Sequence, residues 1–381
     1  MNAHTREPFH IRILKGLLGI IWSIDWPLMV IVLILSAWGF VALYSAGYSF
    51  PWRIDGQIRN LAAAGATMPL KWTRNLAAPA YVVGLVLLVA TLLFGVNTKG
   101  ATRWLDIGVI RIQPSEIMKL ATPLLIAWYF QLRLTAQEGV LKWWDYLVAF
   151  VMLALPVALI LKQPDLGTSI LVLASGFAVI FFAGLSWKFL LLMFSGVLVA
   201  LPIVWNSLYD YQRQRVLTLL DPSSDPLGAG FHTLQAIIAI GSGGMTGKGW
   251  MNGTQAHLDF IPERTSDFLF AVFSEEFGFF GDICLLGLYT LLIMRALYIA
   301  SVANTVFERL LACAIATIFL IYSFVNMGMV SGILPVVGVP LPFMSYGGTA
   351  LLILGICCGL LMKISAQRRI KVSLYGDDYR S

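Results

Sequence analysis

Apolar runs of roughly 18 residues or more recur along the whole chain, and this repetition limits the fold more than any single motif does. Each run is long enough to cross the hydrocarbon core of a bilayer as a helix. Only 12% of the 381 residues are charged, whereas about a quarter are charged in a soluble globular protein. The sequence therefore predicts an all-α integral membrane protein with no separate soluble domain and no nucleic-acid partner.

We predict about ten transmembrane helices in one polytopic membrane domain that covers residues 1–381. The predicted spans are 26–48, 58–70, 77–96, 114–131, 142–161, 168–186, 188–206, 268–294, 310–330 and 345–363. The remaining parts are a cytoplasmic N-terminal segment (1–25), a long extracytoplasmic loop between helices seven and eight (207–266) and a cytoplasmic tail (364–381).

The second span is the weakest, because LAAAGATMPL (61–70) is followed at once by Lys71 and Arg74. Either this helix is short and the bilayer adapts to it, or it does not cross and every later helix is inverted. The distribution of Lys and Arg favours a crossing, since these residues are then enriched in the predicted cytoplasmic segments. We therefore expect both termini to lie in the cytoplasm.

This orientation brings four polar or Gly/Pro-rich segments to one outer face. They are 99–116, 162–169, the end of the long loop at TSDF and 331–348. Irregular backbone at membrane depth is tolerated only where protein buries it or water reaches it. We therefore expect these segments to converge on a cavity that is open to the outside.

Charge enters an apolar helix in the stretch HLDFIPERTSDFLFAVFSEEFGFFG (257–281). On translocon scales a carboxylate at the centre of a membrane helix costs about 2.5–3.5 kcal/mol. Asp267 lies where a polar loop meets this helix, so we take it as the candidate general base. The alternative, a helix N-cap, is equally open, although no Glu or Gln lies three residues further on to complete a capping box.

Two further sets of charges lie on the predicted outer side. Glu116 and Lys119 share one face of a helix, where they either shape the cavity or only hold the helix register. Arg103 and Arg111 precede that helix and could bind an anion such as a pyrophosphate, although a solvated surface role is also open.

Other chemistries are disfavoured. The four cysteines lie in predicted spans and the four histidines are far apart, so neither a disulfide framework nor a metal cluster is expected. The motif GSGGMTGKG (241–249) is not a nucleotide-binding loop, because Gly249 follows Lys248 where Ser or Thr is required. We expect these glycines to allow close packing at an irregular turn.

Many ordered motifs resemble the SEDS (shape, elongation, division and sporulation) family of bacterial cell-wall polymerases. They are RWLDIG, QPSEIMK, QPDLGTS, YQRQRV, LLDPSSDPLGAG, AIGSGG, FIPERTSDFLFAV, SEEFG and SGILPVVGVPLPFMSYGG, and they cover nearly the whole chain from residue 24 onward. The residues of these motifs are more similar to those of the elongation member of the family than to those of the division member.

The resemblance implies a peptidoglycan glycosyltransferase in the cytoplasmic membrane of a bacterium. Such enzymes polymerise lipid II at the outer face of that membrane, together with a class B penicillin-binding protein and other elongation proteins. The resemblance makes Asp267 the catalytic residue, and Gln113, Glu116 and Lys119 part of a motif that shapes the cavity. One departure is that Thr265-Ser266 stands where the family usually has His-Thr.

We expect Asp267 to deprotonate the acceptor hydroxyl, while cations offset charge on the leaving pyrophosphate. The candidate cations are Arg111, Lys119, Lys248 and Arg264. Mg²⁺ or Mn²⁺ could share that task, although no dedicated ligand set is present. Glu275 and Glu276 lie further along the helix and are assigned a supporting role. A lipid II flippase and a non-catalytic scaffold of the elongation complex are the alternative functions.

Overall fold

Helices form most of the part of the chain that the structure describes. The computed structural model describes residues 24–376 except 49–51, 65–69, 99–100, 107–110, 138, 208–212, 214–216, 218–228, 259 and 262. The predicted N-terminal segment up to residue 23 and the last residues of the tail, 377–381, lie outside the described residues.

Each of the ten predicted spans overlaps a helix. The helices are α1 (Trp26–Ala46), α2 (Trp52–Ala64), α3 (Leu70–Phe94), α4 (Pro114–Ala136), α5 (Trp143–Leu161), α6 (Leu166–Phe182), α7 (Trp187–Ser207), α8 (Ala229–Gly243), α9 (Thr254–His257), α10 (Leu269–Ser301), α11 (Val306–Val330) and α12 (Gly348–Gly376). The last helix extends through residues that the sequence assigned to the cytoplasmic tail, because QRRIKVSLYG contains no helix breaker before its final glycine.

Six helices in the described part of the chain are long and apolar enough to cross a membrane. They are α1, α3 from Arg74, α5, α10, α11 and α12 to Gln367. A mostly helical, multi-pass membrane protein is thereby confirmed, and the count of ten crossings stays a prediction. With 13 residues, α2 extends about 20 Å at 1.5 Å per residue, which is less than a hydrocarbon core of about 30 Å.

Two parts of the fold differ from the sequence prediction. Helix α8 lies inside the segment predicted as a long loop, and its small buried residues Thr233, Ala236, Ala239 and Gly243 recur at helical spacing. At 15 residues it is shorter than the roughly 18 apolar residues that indicate a membrane crossing. The segment before α4 forms three antiparallel strands, β1 (Val96–Thr98), β2 (Ala101–Asp106) and β3 (Arg111–Ile112), in that order. The sequence gives no strand signal here, because β1 and β3 have only three and two residues and ATRWLD in β2 does not alternate apolar and polar residues.

Helix α11 lies in the middle of the core, where it packs against α4, α6 and α10.

Hydrogen bonds to Asp25, the N-cap of α1, join three helices. Near the C-terminal end of α10, Arg295 donates two of them, at 2.9 and 2.7 Å. Ser365 of α12 donates a third at 2.6 Å. Burial alone would raise the pKa of Asp25, but these hydrogen bonds outweigh it and lower that pKa.

Helix α10 is broken at Gly278, which has φ 65° and ψ −169°. Four main-chain hydrogen bonds join this break to the glycine-rich turn after α8. The amides of Lys248 and Gly249 donate to the carbonyls of Glu275 and Glu276, both at 3.0 Å. The amides of Phe279 and Phe280 donate to the carbonyls of Gly244 and Met245, at 2.9 and 3.1 Å. The polar groups that the break releases are therefore paired inside the protein.

Glycine is required at this junction because the two backbones nearly touch. A Cβ at Gly247 would lie 2.1 Å from the carbonyl oxygen of Glu276, and the φ of Gly247 is +78°. The prediction that the glycines allow close packing is confirmed here.

We expect Gly247→Ala to lower the thermal unfolding temperature in detergent, because left-handed strain of about 1–3 kcal/mol adds to the steric clash. Gly241→Ala is the matched control, since a Cβ at that helical position meets nothing within 4 Å. Equal unfolding temperatures for the two variants would contradict this account of the junction.

Candidate active site

Asp267 lies in the turn that leads into α10 and is half-buried. The N-cap of α10 is Phe268, whose side chain makes no capping hydrogen bond. The interpretation of Asp267 as the N-cap is therefore wrong, because the helix begins one residue later than that role requires. Within the turn, the amides of Ser266 and Phe268 both donate to the carbonyl of Glu263, at 3.0 and 3.3 Å. The Asp267 side chain thus projects from a closed turn.

Residues of α1, of α2 and of the segment just before α12 contact this turn and hold it in place. Arg264 is buried, and its Nε donates to the carbonyl of Ala46 at the end of α1 (2.6 Å). Arg53 of α2 donates to the hydroxyl of Thr265. The amide of Tyr346 donates to the carbonyl of Thr265 at 2.9 Å. Thr265, which stands at the position of the usual family His, therefore connects the turn to two other parts of the protein.

The irregular 331–347 segment between α11 and α12 forms one wall beside Asp267. A Cβ placed on Gly338 would lie 3.3 Å from Oδ2 of Asp267, so the backbone of this segment packs against the carboxylate. Gly338 has φ +72°, a conformation that favours glycine. The same segment contacts the first turn of α6, since a Cβ on Gly167 would lie 2.7 Å from the carbonyl of Val337.

Further contacts join the loop before α6 to the segment before α4. Gln113 donates to Asp165 at 2.9 Å, and Arg103 donates to the carbonyl of Pro164. Asp165 is the N-cap of α6 and also accepts from the hydroxyl of Thr168 at 2.9 Å. The predicted convergence of the four irregular segments is therefore confirmed by direct contacts. The opening of a cavity to the outside stays a prediction.

Glu116 and Lys119 form an ion pair at 2.5 Å, and Lys119 is only 2% exposed. The predicted pairing on one helix face is confirmed. The hydroxyl of Tyr322 on α11 accepts from Lys119 at 2.6 Å. Sequence reasoning missed Tyr322, because one tyrosine within an apolar run carries no signal that distinguishes it from packing residues.

The remaining predicted cations lie in different surroundings. Lys248 forms an ion pair with Glu275 at 2.6 Å. Glu275 is eight residues beyond Asp267, which corresponds to about 12 Å at 1.5 Å per residue. Glu276 accepts from the hydroxyl of Ser45 and from the amide of Met251. Both glutamates brace the junction at the break in α10, which fits their predicted supporting role.

Arg111 lies in β3, where its partner across the hairpin is Asp106. Its side chain lies outside what the structure describes. Among the described residues, no group of three or more His, Cys, Asp or Glu side chains could hold a metal ion. The protein side chains in this part of the chain therefore do not form a metal cage.

The family model for FtsW, RodA and SpoVE, described as cell cycle proteins, matches residues 25–370. The chain belongs to this family. It is 47% identical over 356 residues to the peptidoglycan glycosyltransferase MrdB of Escherichia coli K12, covering 91% of this chain and 95% of MrdB. It is 34% identical to a probable peptidoglycan glycosyltransferase FtsW of Trichlorobacter lovleyi, covering 90% and 93%. The predicted closer similarity to the elongation member is confirmed.

Two solved structures share the fold of this chain. A chain from a peptidoglycan synthase complex, studied for its coordination of polymerization and crosslinking, matches with a TM-score of 0.76 and 33% identity. The match covers 91% of this chain and 98% of that one. The rod-shape-determining protein RodA of Thermus thermophilus matches with a TM-score of 0.67 and 28% identity, covering 91% and 97%.

We expect Lys119→Met to destabilise the protein by about 3–5 kcal/mol, because Glu116 would remain buried without its partner. Combining it with Glu116→Gln removes the stranded charge and should recover most of the loss. Thermal unfolding in detergent measures both variants. Strictly additive losses in the double variant would show that the two residues are not coupled.

Proposed function

We propose that Asp267 is the general base in the polymerisation of lipid II into β-1,4 glycan strands. The chain is a peptidoglycan glycosyltransferase, the activity named for its MrdB and FtsW relatives. One observation carries the assignment of the base. The half-buried carboxylate of Asp267 projects from a turn that other elements hold in place, directly beside the backbone of Gly338.

In the proposed reaction, Asp267 accepts the proton of the GlcNAc 4-hydroxyl of one lipid II molecule. The freed oxygen attacks the anomeric carbon of the MurNAc of the donor, and the bond from that carbon to the pyrophosphate breaks. The polyprenyl diphosphate leaves with the bonding electrons. A single displacement converts the α-linked donor into a β-linked product, so an inverting mechanism needs no covalent enzyme intermediate.

The leaving diphosphate gathers negative charge, which nearby cations would stabilise. Arg264 is one proposed contact to the diphosphate, since it lies three residues before Asp267 in the same turn. Lys119 and Lys248 are each paired with a glutamate, which reduces the charge that they offer to a second anion. Arg103, Arg111 and Gln113 remain proposed contacts to substrate. A Mg²⁺ or Mn²⁺ ion would be held mainly by the substrate phosphates, as is usual for Mg²⁺.

The proposed topology has ten crossings with both termini in the cytoplasm, and the Asp267 turn faces outward. This orientation exposes the site to lipid II at the outer face of the bacterial cytoplasmic membrane. The proposed partner is a class B penicillin-binding protein that cross-links the new strands within the elongation complex. The likeness to a chain of a peptidoglycan synthase complex supports that partner.

Purified protein with lipid II tests the proposal. We expect Asp267→Asn to reduce polymer formation by at least 100-fold, because the amide cannot accept the proton, while the unfolding temperature changes little. Asp55→Asn is the matched control, since Asp55 is an exposed aspartate in the first turn of α2. Polymer formed at an undiminished rate by folded Asp267→Asn would rule out this base. Lipid II translocation without polymer would instead favour the flippase.

A further inference from the structure

We propose that Asn326 of α11 is a positioning residue that fixes Asp267 relative to the wall of the site. Its side-chain Nδ2 donates to the main-chain carbonyl of Asp267 at 2.8 Å and to that of Val339 at 2.7 Å. Asn326 is 0% exposed and lies on α11, the helix in the middle of the core. The inference rests on the proposed function of Asp267.

The two carbonyls belong to the two sides of the candidate site. Asp267 carries the proposed base, and Val339 follows Gly338, whose backbone packs against the Asp267 carboxylate. Both stretches are irregular, so neither holds its own geometry through a helical hydrogen-bond ladder. One side chain of α11 therefore bridges the residue that carries the proposed base and the wall beside it.

Asparagine suits this task because its amide nitrogen carries two N–H donors on one atom. A hydroxyl can donate only once, and an ionised carboxylate cannot donate at all. An apolar side chain of similar size would leave both buried carbonyls without this donor. The choice of residue at position 326 thus follows from the need to bridge two acceptors at once.

Two other side chains also bind the 331–347 segment. They allow the effect of bridging the segment to Asp267 to be distinguished from the effect of anchoring the segment alone. Tyr289 of α10 donates to the carbonyl of Pro342 at 2.7 Å, and Gln57 of α2 donates to that of Ser345 at 3.0 Å. Each binds a carbonyl of the segment, and neither of these hydrogen bonds reaches Asp267. Asn326 differs from both, because it donates to the segment and also to the main chain of Asp267 itself.

Steady-state polymerisation by the full-length protein with lipid II, combined with hydrogen exchange, tests this role. We expect Asn326→Leu to lower kcat by about 100-fold, as a misplacement of about 1 Å can do, with KM for lipid II changed less than threefold. Amide exchange within 265–268 should rise, while exchange in α11 stays as in the wild type. Asn326→Asp keeps the size of the side chain and should also lower kcat. It replaces the leucine variant in this test if that variant does not fold.

Tyr289→Phe is the matched control, because it removes one buried hydrogen bond to the same segment without touching Asp267. We expect its kcat to stay within threefold of the wild type. The proposal is overturned if the folded Asn326 variants keep their kcat, or if they lose it with no change in exchange at 265–268. If the proposed function is wrong, Asp267→Asn will still polymerise lipid II. The role of Asn326 can be judged separately, because the exchange measurement does not depend on activity.

Discussion

Main-chain polar groups that leave a helix inside an apolar protein body must find partners in the protein, and the structure depends on how this chain supplies them. At the break in α10, the glycine-rich turn after α8 pairs with the freed amides and carbonyls through four main-chain hydrogen bonds. Along the 331–347 segment, side chains of three different helices bind single carbonyls instead. Irregular backbone is therefore placed by the surrounding helices rather than by its own conformation.

The same constraint explains why a reactive group can be held at this point. A carboxylate on a regular helix would have its direction fixed by the helix, but Asp267 stands in a turn outside α10. This turn is held by contacts with Ala46, Arg53, Tyr346 and Asn326, which come from different parts of the fold. In the proposed function, a carboxylate on a turn held in this way would meet the acceptor hydroxyl without rearrangement, as general-base catalysis requires.

The sequence predicted what depends on composition and local spacing, and the contacts between distant segments required the structure. Long apolar runs gave the helices, and the i, i+3 spacing gave the Glu116–Lys119 pair. Helix α8 was missed because its 15 residues fall below the roughly 18 of a membrane crossing and lie in a segment interpreted as a loop. The strands were missed because ATRWLD does not alternate and the other two have only three and two residues. Tyr322 and Asn326 could not be singled out, since their roles depend on partners about 200 and 60 residues away.

The proposed function requires that Asp267 face the acceptor hydroxyl of lipid II. The most direct measurement is an electron cryomicroscopy structure of Asp267→Asn with lipid II, because the variant should bind substrate without consuming it. We predict that the GlcNAc 4-hydroxyl lies within hydrogen-bonding distance of residue 267, about 2.6–3.2 Å, with the donor pyrophosphate on the side of Arg264. A bound acceptor whose 4-hydroxyl lies far from residue 267 and beside another carboxylate would contradict the account.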